Sequence, residues 1–155
     1  RIMNKNFFKK INHNDCDEIF ILQQKNKEDF GNNIWKPEEL STFIKDNTFK
    51  GIVFVYQKKI NGFCFFKKID NFIEIYSLFV DPKHRNKGIA GNLLKQCIYY
   101  CKTNKLSKII LDVNENNLTA IKLYRKNNFV FCGKRKNYYN DREYFEDSYT
   151  MNLII

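Results

Sequence analysis

The sequence predicts an α/β fold of the α+β kind: a mixed central sheet of about seven strands with helices on both faces. Three observations point there. A chain of 155 residues, 43% hydrophobic and 28% charged, has the size and composition of a globular domain with a single core, so residues 1–155 are expected to form one domain. Between Gly51 and Val80 the apolar residues fall in short β-branched and aromatic runs separated by polar turns, as in neighbouring antiparallel strands. After Pro82, stretches of helical spacing alternate with short apolar runs, a pattern that requires crossover connections.

Along the chain, Asn14 is placed to cap a helix that opens with Asp15, Cys16, Asp17 and Glu18 and continues to about Lys25, its buried side supplied by Ile19, Phe20 and Leu22. Pro37 begins a second helix, with Glu38 and Glu39 in its first turn and Leu40, Phe43 and Ile44 at helical period to about Asp46. The loop between them, around Phe30 to Trp35, is expected to be the most mobile element, with Trp35 either lining a groove or closing the core. Ile52 to Tyr56 and Phe63 to Phe66 read as a hairpin turning at Lys59-Ile60-Asn61-Gly62. Phe72 to Val80 is a strand that stops before Pro82, which has no N–H for a ladder. Gly88 to about Asn104 is helix, Lys108 to Val113 a short buried strand, and Leu118 to about Asn127 helix. Phe129 to Lys136 and Tyr149 to Ile155 read as two strands joined by a polar loop.

The formal net charge of +10 raises nucleic acid as a partner. The lysines are scattered, however, as Lys9-Lys10, Lys58-Lys59 and Lys67-Lys68, and no nucleic-acid-binding motif accompanies them. A solvated basic surface is the expectation. Five scattered cysteines do not make a disulfide framework, and reduced thiols suit a cytoplasmic protein. Cys97 and Cys101 have the spacing of a metal pair, but with Leu93, Leu94 and Ile98 they form an apolar helix stripe, so they are expected in the core and no metal is expected. No apolar run is long enough to span a bilayer, and nothing near Arg1 resembles a signal peptide.

The chemistry concentrates between Phe72 and Tyr124. After the strand ending at Val80-Asp81-Pro82, the segment Arg85-Asn86-Lys87-Gly88-Ile89-Ala90-Gly91 opens a helix. A glycine-bearing turn entering a helix offers backbone N–H groups and the positive end of the helix dipole to an anion, and a pyrophosphate fits there. On the later helix, Asn117, Ala120, Ile121 and Tyr124 fall at i, i+3, i+4 and i+7, on one face. Together these features suit a cradle for an acyl-CoA.

Arg85 to Ala90 resembles the Q/R-x-x-G-x-G/A signature of the GNAT N-acetyltransferases, with Ala90 in place of the second glycine. The resemblance covers roughly Phe72 to Ile155. The run Leu111 to Asn117, then Ala120 to Tyr124, then Arg135 to Tyr139 is most similar to the RimI-like enzymes and the catalytic subunits of protein N-terminal acetyltransferases. It implies an acetyl-CoA-dependent transfer of acetyl to the α-amine of a protein or peptide by direct attack on the thioester. In such enzymes pantetheine lies between two splayed parallel strands. Here these would be Glu74 to Val80, with Leu78 and Val80 contributing, and Lys108 to Val113.

The resemblance also implies the site residues. Arg85, Lys87, Gly88, Ile89, Ala90 and Gly91 would bind the phosphates, and Asn117 and Ala120 would face the pantetheine. Asn117 is equally suited to capping its helix. Tyr124 would give a proton or hydrogen bond to the departing sulfur. Tyr138 and Tyr139 would wall the peptide site. Two carboxylates are candidates for the base: Asp112, where the RimI-like motif usually has glutamate, and Glu74, spaced like the base of histone-acetylating relatives. Aspartate is one methylene shorter, and a bridging water would restore its reach. Ser77 has no matching His and Asp, which argues against a serine hydrolase. Acetylation of lysine or a polyamine, and a non-catalytic acyl-CoA-binding or ribosome-docking module, stay open. A ribosome or an auxiliary subunit is a further expected partner.

Overall fold

The computed structural model describes residues 6–141 and 144–155, and the side chains of all of these except 135–141 and 144–146. Its elements are β1 (Phe7–Lys10), α1 (Cys16–Lys25), α2 (Lys27–Phe30), α3 (Pro37–Ile44), β2 (Phe49–Tyr56), β3 (Lys59–Ile69), β4 (Phe72–Val80), α4 (Ile89–Thr103), β5 (Lys108–Asn114), α5 (Leu118–Lys126), β6 (Val130–Asp141) and β7 (Tyr144–Ile154). Short 3-10 turns cover His13–Asp15 and Pro82–His84. The seven strands form one mixed sheet in the order β1-β2-β3-β4-β5-β7-β6, in which β4 and β5 are parallel. Two compact units make up the chain: the described residues up to Lys67 with Ser77–Leu93, and Lys68–Tyr76 with Leu94–Ile155.

In the first unit the cap of the N-terminal helical segment lies two residues before the expected Asn14. Asn12 Oδ1 accepts from the Asn14 N–H at 2.9 Å and Asp15 Oδ2 accepts from the Asn12 N–H at 2.8 Å, a reciprocal box that a lone Asn14 cap lacks. Gln23 is fully buried on α1 and clamps the following loop. Its Oε1 accepts from the Trp35 N–H at 2.8 Å and its Nε2 donates to the Trp35 carbonyl at 3.1 Å. The indole of Trp35 meets Phe43 and Phe65 edge-on, with centroids 5.0 and 6.2 Å away, which places it at the margin of the core.

The β2–β3 turn is also not where Asn61-Gly62 suggested it. Tyr56 pairs with Lys59, so the chain reverses at Gln57 and Lys58, both left-handed at φ 49° and 64°, as a two-residue hairpin turn requires. Gly62 serves a different need: a Cβ there would lie 3.0 Å from the Phe79 carbonyl oxygen, so glycine permits a close approach inside the strand. The register shift between Phe54 and Val55 leaves Asn61 as an extra residue, and its carbonyl accepts from the Asp81 N–H at 2.7 Å.

In the second unit β4 and β5 pair from Phe72–Lys108 to Ile75–Leu111. β5 then pairs with β7 without a shift from Lys108–Ile154 to Asn114–Ser148. Ile109, Leu111 and Val113 are buried at every second position of β5, with Met151 opposite Leu111. On α4, Leu94, Cys97 and Cys101 are fully buried, in keeping with the apolar stripe. Burial, then the neighbouring Cys97, pushes the Cys101 thiol up to about 11. The C-terminal hairpin is longer than the sequence reading: β6 and β7 pair as far as Asp141–Tyr144.

Both helices of this unit end in the same way. At the end of α4 the left-handed Lys105 (φ 56°) lets the Leu106 N–H reach the Cys101 carbonyl at 2.8 Å. After α5 the left-handed Asn128 (φ 68°) lets the Phe129 N–H reach the Tyr124 carbonyl at 3.0 Å. Each cap delivers a buried apolar residue, Leu106 or Phe129, onto its helix's last turns.

Candidate functional site

The turn that leads into α4 belongs to the first unit and is built from its own backbone. Asp81 Oδ1 accepts from the Lys83 N–H at 2.9 Å and Pro82 opens a single 3-10 turn, which fixes the exit from β4. The chain then takes left-handed conformations at Asn86 (φ 62°) and Gly88 (φ 78°) before α4 begins at Ile89. The first intrahelical bond runs from the Asn92 N–H to the Gly88 carbonyl at 3.0 Å, so the amides of Ile89, Ala90 and Gly91 form the helix's open N-terminal end. A Cβ added at Gly88 or Gly91 would meet nothing within 4 Å. This concave backbone with open space above it fits an anionic group such as a pyrophosphate.

Of the residues expected around that group, Lys87 and Gly88 are exposed, Ala90 and Gly91 half-buried, and Ile89 buried. Arg85 is held otherwise. Its Nε donates to the Val80 carbonyl at 2.9 Å, its guanidinium pairs with Asp29 at 3.2 Å, and it lies 5.5 Å above the Phe79 ring. It staples the turn to the end of β4, a role that its charge alone did not reveal. Val80 is buried and Leu78 half-buried on β4. His84 is half-buried against Tyr56, with ring centroids 4.8 Å apart.

The second unit carries the candidate acid–base residues. Glu74 and Asp112 point to the same face of the sheet, because Glu74 pairs with Ile110 and Asp112 lies two residues on. Both are half-buried. Asp112 sits directly opposite Thr150 on β7, and the Thr150 hydroxyl donates to Asp112 Oδ1 at 2.6 Å. That bond sets the orientation of the carboxylate. Sequence reading missed Thr150, since the pairing of residues 38 apart depends on strand register and not on any local motif.

Tyr124 is buried, 7% exposed, on α5. Its ring packs against Phe129 with centroids 5.6 Å apart, and the C-cap that places Phe129 bonds to Tyr124's own carbonyl. At the other end of the helix Asn117 Oδ1 accepts from the Ala120 N–H at 3.1 Å, so Asn117 is the N-cap and Ala120 lies in the capped first turn. Lys134 near the start of β6 is anchored to Asp147 at 3.1 Å and Glu115 at 3.4 Å, and the Asp147 contact, followed by that to Glu115, raises its ammonium above the ordinary lysine value. The backbone of Tyr138 and Tyr139 lies in β6, but their side chains are outside the described residues. Among the described residues no group of three or more His, Cys, Asp and Glu is placed to hold a metal, and no helix is long and apolar enough to cross a membrane.

Comparison with known proteins agrees with this architecture. The [ribosomal protein bS18]-alanine N-acetyltransferase of Salmonella typhimurium is 31% identical over 81 residues, 52% of this chain and 55% of that enzyme. The N-alpha-acetyltransferase RimI of Mycobacterium tuberculosis is 32% identical over 78 residues, 50% of this chain and 46% of that enzyme. The chain therefore spans about half the length of these relatives in the matched region. In three dimensions it is similar to the ribosomal-protein-S18-alanine N-acetyltransferase from Escherichia coli, with a TM-score of 0.85 at 20% identity, over 97% of this chain and 94% of that one. Residues 16–129, most of the chain and the whole stretch from α1 through the α5 cap, match the model of the Acetyltransferase (GNAT) family, and the chain belongs to that family.

Proposed function

We propose that the protein is an acetyl-CoA-dependent N-acetyltransferase acting on the N-terminal α-amine of a protein or peptide. The observation that carries this reading is that one unit holds both an oriented carboxylate, Asp112 fixed by Thr150, and a buried phenol, Tyr124. Acyl transfer to an amine needs both functions: a base to take the nitrogen's proton and a donor to the sulfur as it leaves. The turn at residues 85–91 takes the pyrophosphate of acetyl-CoA through the open end of α4, with Lys87 adding positive charge. Leu78 and Val80 on β4 take the pantetheine, and Asn117, already committed to its cap through Oδ1, contributes its amide group. No side-chain nucleophile is used. The amine attacks the thioester carbonyl directly, and backbone N–H groups at the end of β4 stabilise the oxygen's developing charge.

An α-amine is favoured over lysine as acceptor because its pKa is about 7.7–8.0 against about 10.4, so it asks far less of a carboxylate base at neutral pH. The relatives named for alanine and α-amine acetylation support the same acceptor. A ribosomal protein is the substrate class that the bS18-alanine relative suggests, and the free cysteines favour the cytoplasm as the compartment. The test is transfer of labelled acetyl from acetyl-CoA to a panel of peptides. Free N-termini should be acetylated, and the same peptides with a blocked N-terminus and an internal lysine should not. Equal labelling of both sets would move the assignment to lysine.

A further inference from the structure

Asp112 has a second flank, on the side away from Thr150. β4 and β5 pair no further than Ile75–Leu111, so Tyr76 on β4 and Asp112 on β5 each stand one residue past the last pair of their parallel ladder. Along β4, Ile73 and Ile75 are buried while Glu74 and Tyr76 are not, so Tyr76 emerges on the face that carries Glu74 and, across the strands, Asp112. All three belong to the second unit. Tyr76 is 39% exposed, which sets its large ring apart from Ile73 and Ile75, the β4 residues that fill the core.

The neighbours of Asp112 on this face divide by chemistry. Thr150 lies directly opposite on β7 and is bonded to Asp112 through its hydroxyl. Glu74, a diagonal neighbour on β4, and Asn114, two residues further along β5, are polar. The apolar surface is made by Tyr76 and the half-buried Ile110, themselves diagonal neighbours at a separation that an aromatic side chain spans. An acceptor amine brings its own α-carbon to this corner, because its nitrogen must come within about 3–3.5 Å of the thioester carbon and within hydrogen-bond reach of the base. The rest of the acceptor chain leaves toward solvent, and its first side chain turns over the sheet. We propose that Tyr76 selects the acceptor by that first side chain: the ring walls the space beside Asp112, admits a small group such as a methyl and collides with larger ones. The inference rests on the proposed acetyl transfer and narrows its substrate class to chains whose first residue is small.

The experiment measures kcat/KM of the full chain and of Tyr76→Ala, Tyr76→Leu and Tyr76→Phe on free-N-terminus peptides that differ only in their first residue: alanine, valine, leucine or phenylalanine. Thermal unfolding accompanies each variant. Wild type should prefer the alanine peptide. In Tyr76→Ala the ratio of kcat/KM for the leucine peptide to that for the alanine peptide should rise about 10- to 100-fold, the size of effect that a few methylenes in a pocket produce. Tyr76→Leu should shift the ratio the same way by less, and it carries the test if Tyr76→Ala does not fold. Tyr76→Phe should keep the wild-type order, because its ring fills the same space. A merely structural role would slow all peptides alike and leave the ratio where it was. An unchanged ratio in folded Tyr76→Ala or Tyr76→Leu therefore overturns selection by Tyr76 and leaves the proposed function standing. A wild type that takes the leucine and alanine peptides equally well overturns it too. No transfer to any free-N-terminus peptide by the wild-type chain overturns both.

Discussion

Tyr124 illustrates how a side chain is held in place by the capping of its own helix. The left-handed Asn128 closes the α5 cap, the cap bonds the Phe129 N–H to the Tyr124 carbonyl, and the Phe129 ring then packs on the phenol at 5.6 Å. The ring is thereby packed in one place, and a pre-positioned group loses less freedom on engaging a substrate. Tyr124→Phe keeps this packing and removes only the hydroxyl. Turnover should fall about 10- to 10³-fold while acetyl-CoA affinity, measured by calorimetry, stays the same, because in the proposed reaction the hydroxyl would matter chiefly as sulfur becomes thiolate. Unaltered turnover with chemistry rate-limiting would return Tyr124 to the core. Tyr124 and Asn117 could be picked out from the sequence because their i, i+7 spacing lies within one helix. Thr150 could not, though the alternating Ser148, Thr150, Asn152 pattern does mark a polar face of β7.

At the scale of the elements, the two helix ends make opposite demands on the backbone. Gly91 lies in the first turn of α4 with open space where a Cβ would stand. Gly91→Ala should therefore stabilise the fold by about 0.5–1 kcal/mol through reduced backbone freedom. It should also weaken acetyl-CoA binding, because the methyl occupies the space above the amides. Calorimetry beside thermal unfolding checks the pair, and unchanged affinity would mean that the pyrophosphate lies elsewhere. At the other end of the helix, Lys105 holds the left-handed cap position that glycine fills without strain. Lys105→Gly should raise stability by about 0.5–1 kcal/mol in denaturant unfolding and leave activity as it was. Helix positions were readable in advance because Pro37, the Gly88 turn and the apolar periods are local signals. The hairpin turn was not, because Asn61-Gly62 has the composition of a turn while Gly62 answers a steric demand from Phe79, a residue distant in sequence. β1 went unread for a related reason: Phe7–Lys10 is four residues long and owes its strand form to β2, with which it pairs from Phe7–Val55 to Lys10–Ile52.

For the whole molecule the question is which carboxylate would serve the proposed reaction, since Glu74 and Asp112 emerge on the same face of the second unit. The Thr150 hydroxyl on the next strand fixes Asp112, and Asp112 stands where the RimI-like motif usually has glutamate, so we assign the base to it. Asp112→Asn should preserve the fold, because the amide oxygen still accepts from Thr150. Its effect should depend on pH in a defined direction. Below the α-amine pKa of about 7.7–8.0 most acceptor is protonated, so base assistance matters and the loss should be greatest. Above about pH 9 the amine is largely free without help, and the variant should approach the wild-type rate. Glu74→Gln should change little at either end. The measurement is kcat/KM for a free-N-terminus peptide from pH 6 to 10 on wild type and both variants. A loss in Glu74→Gln without one in Asp112→Asn would transfer the base to β4 and, with it, favour a lysine acceptor, whose pKa of about 10.4 would carry the same dependence to higher pH.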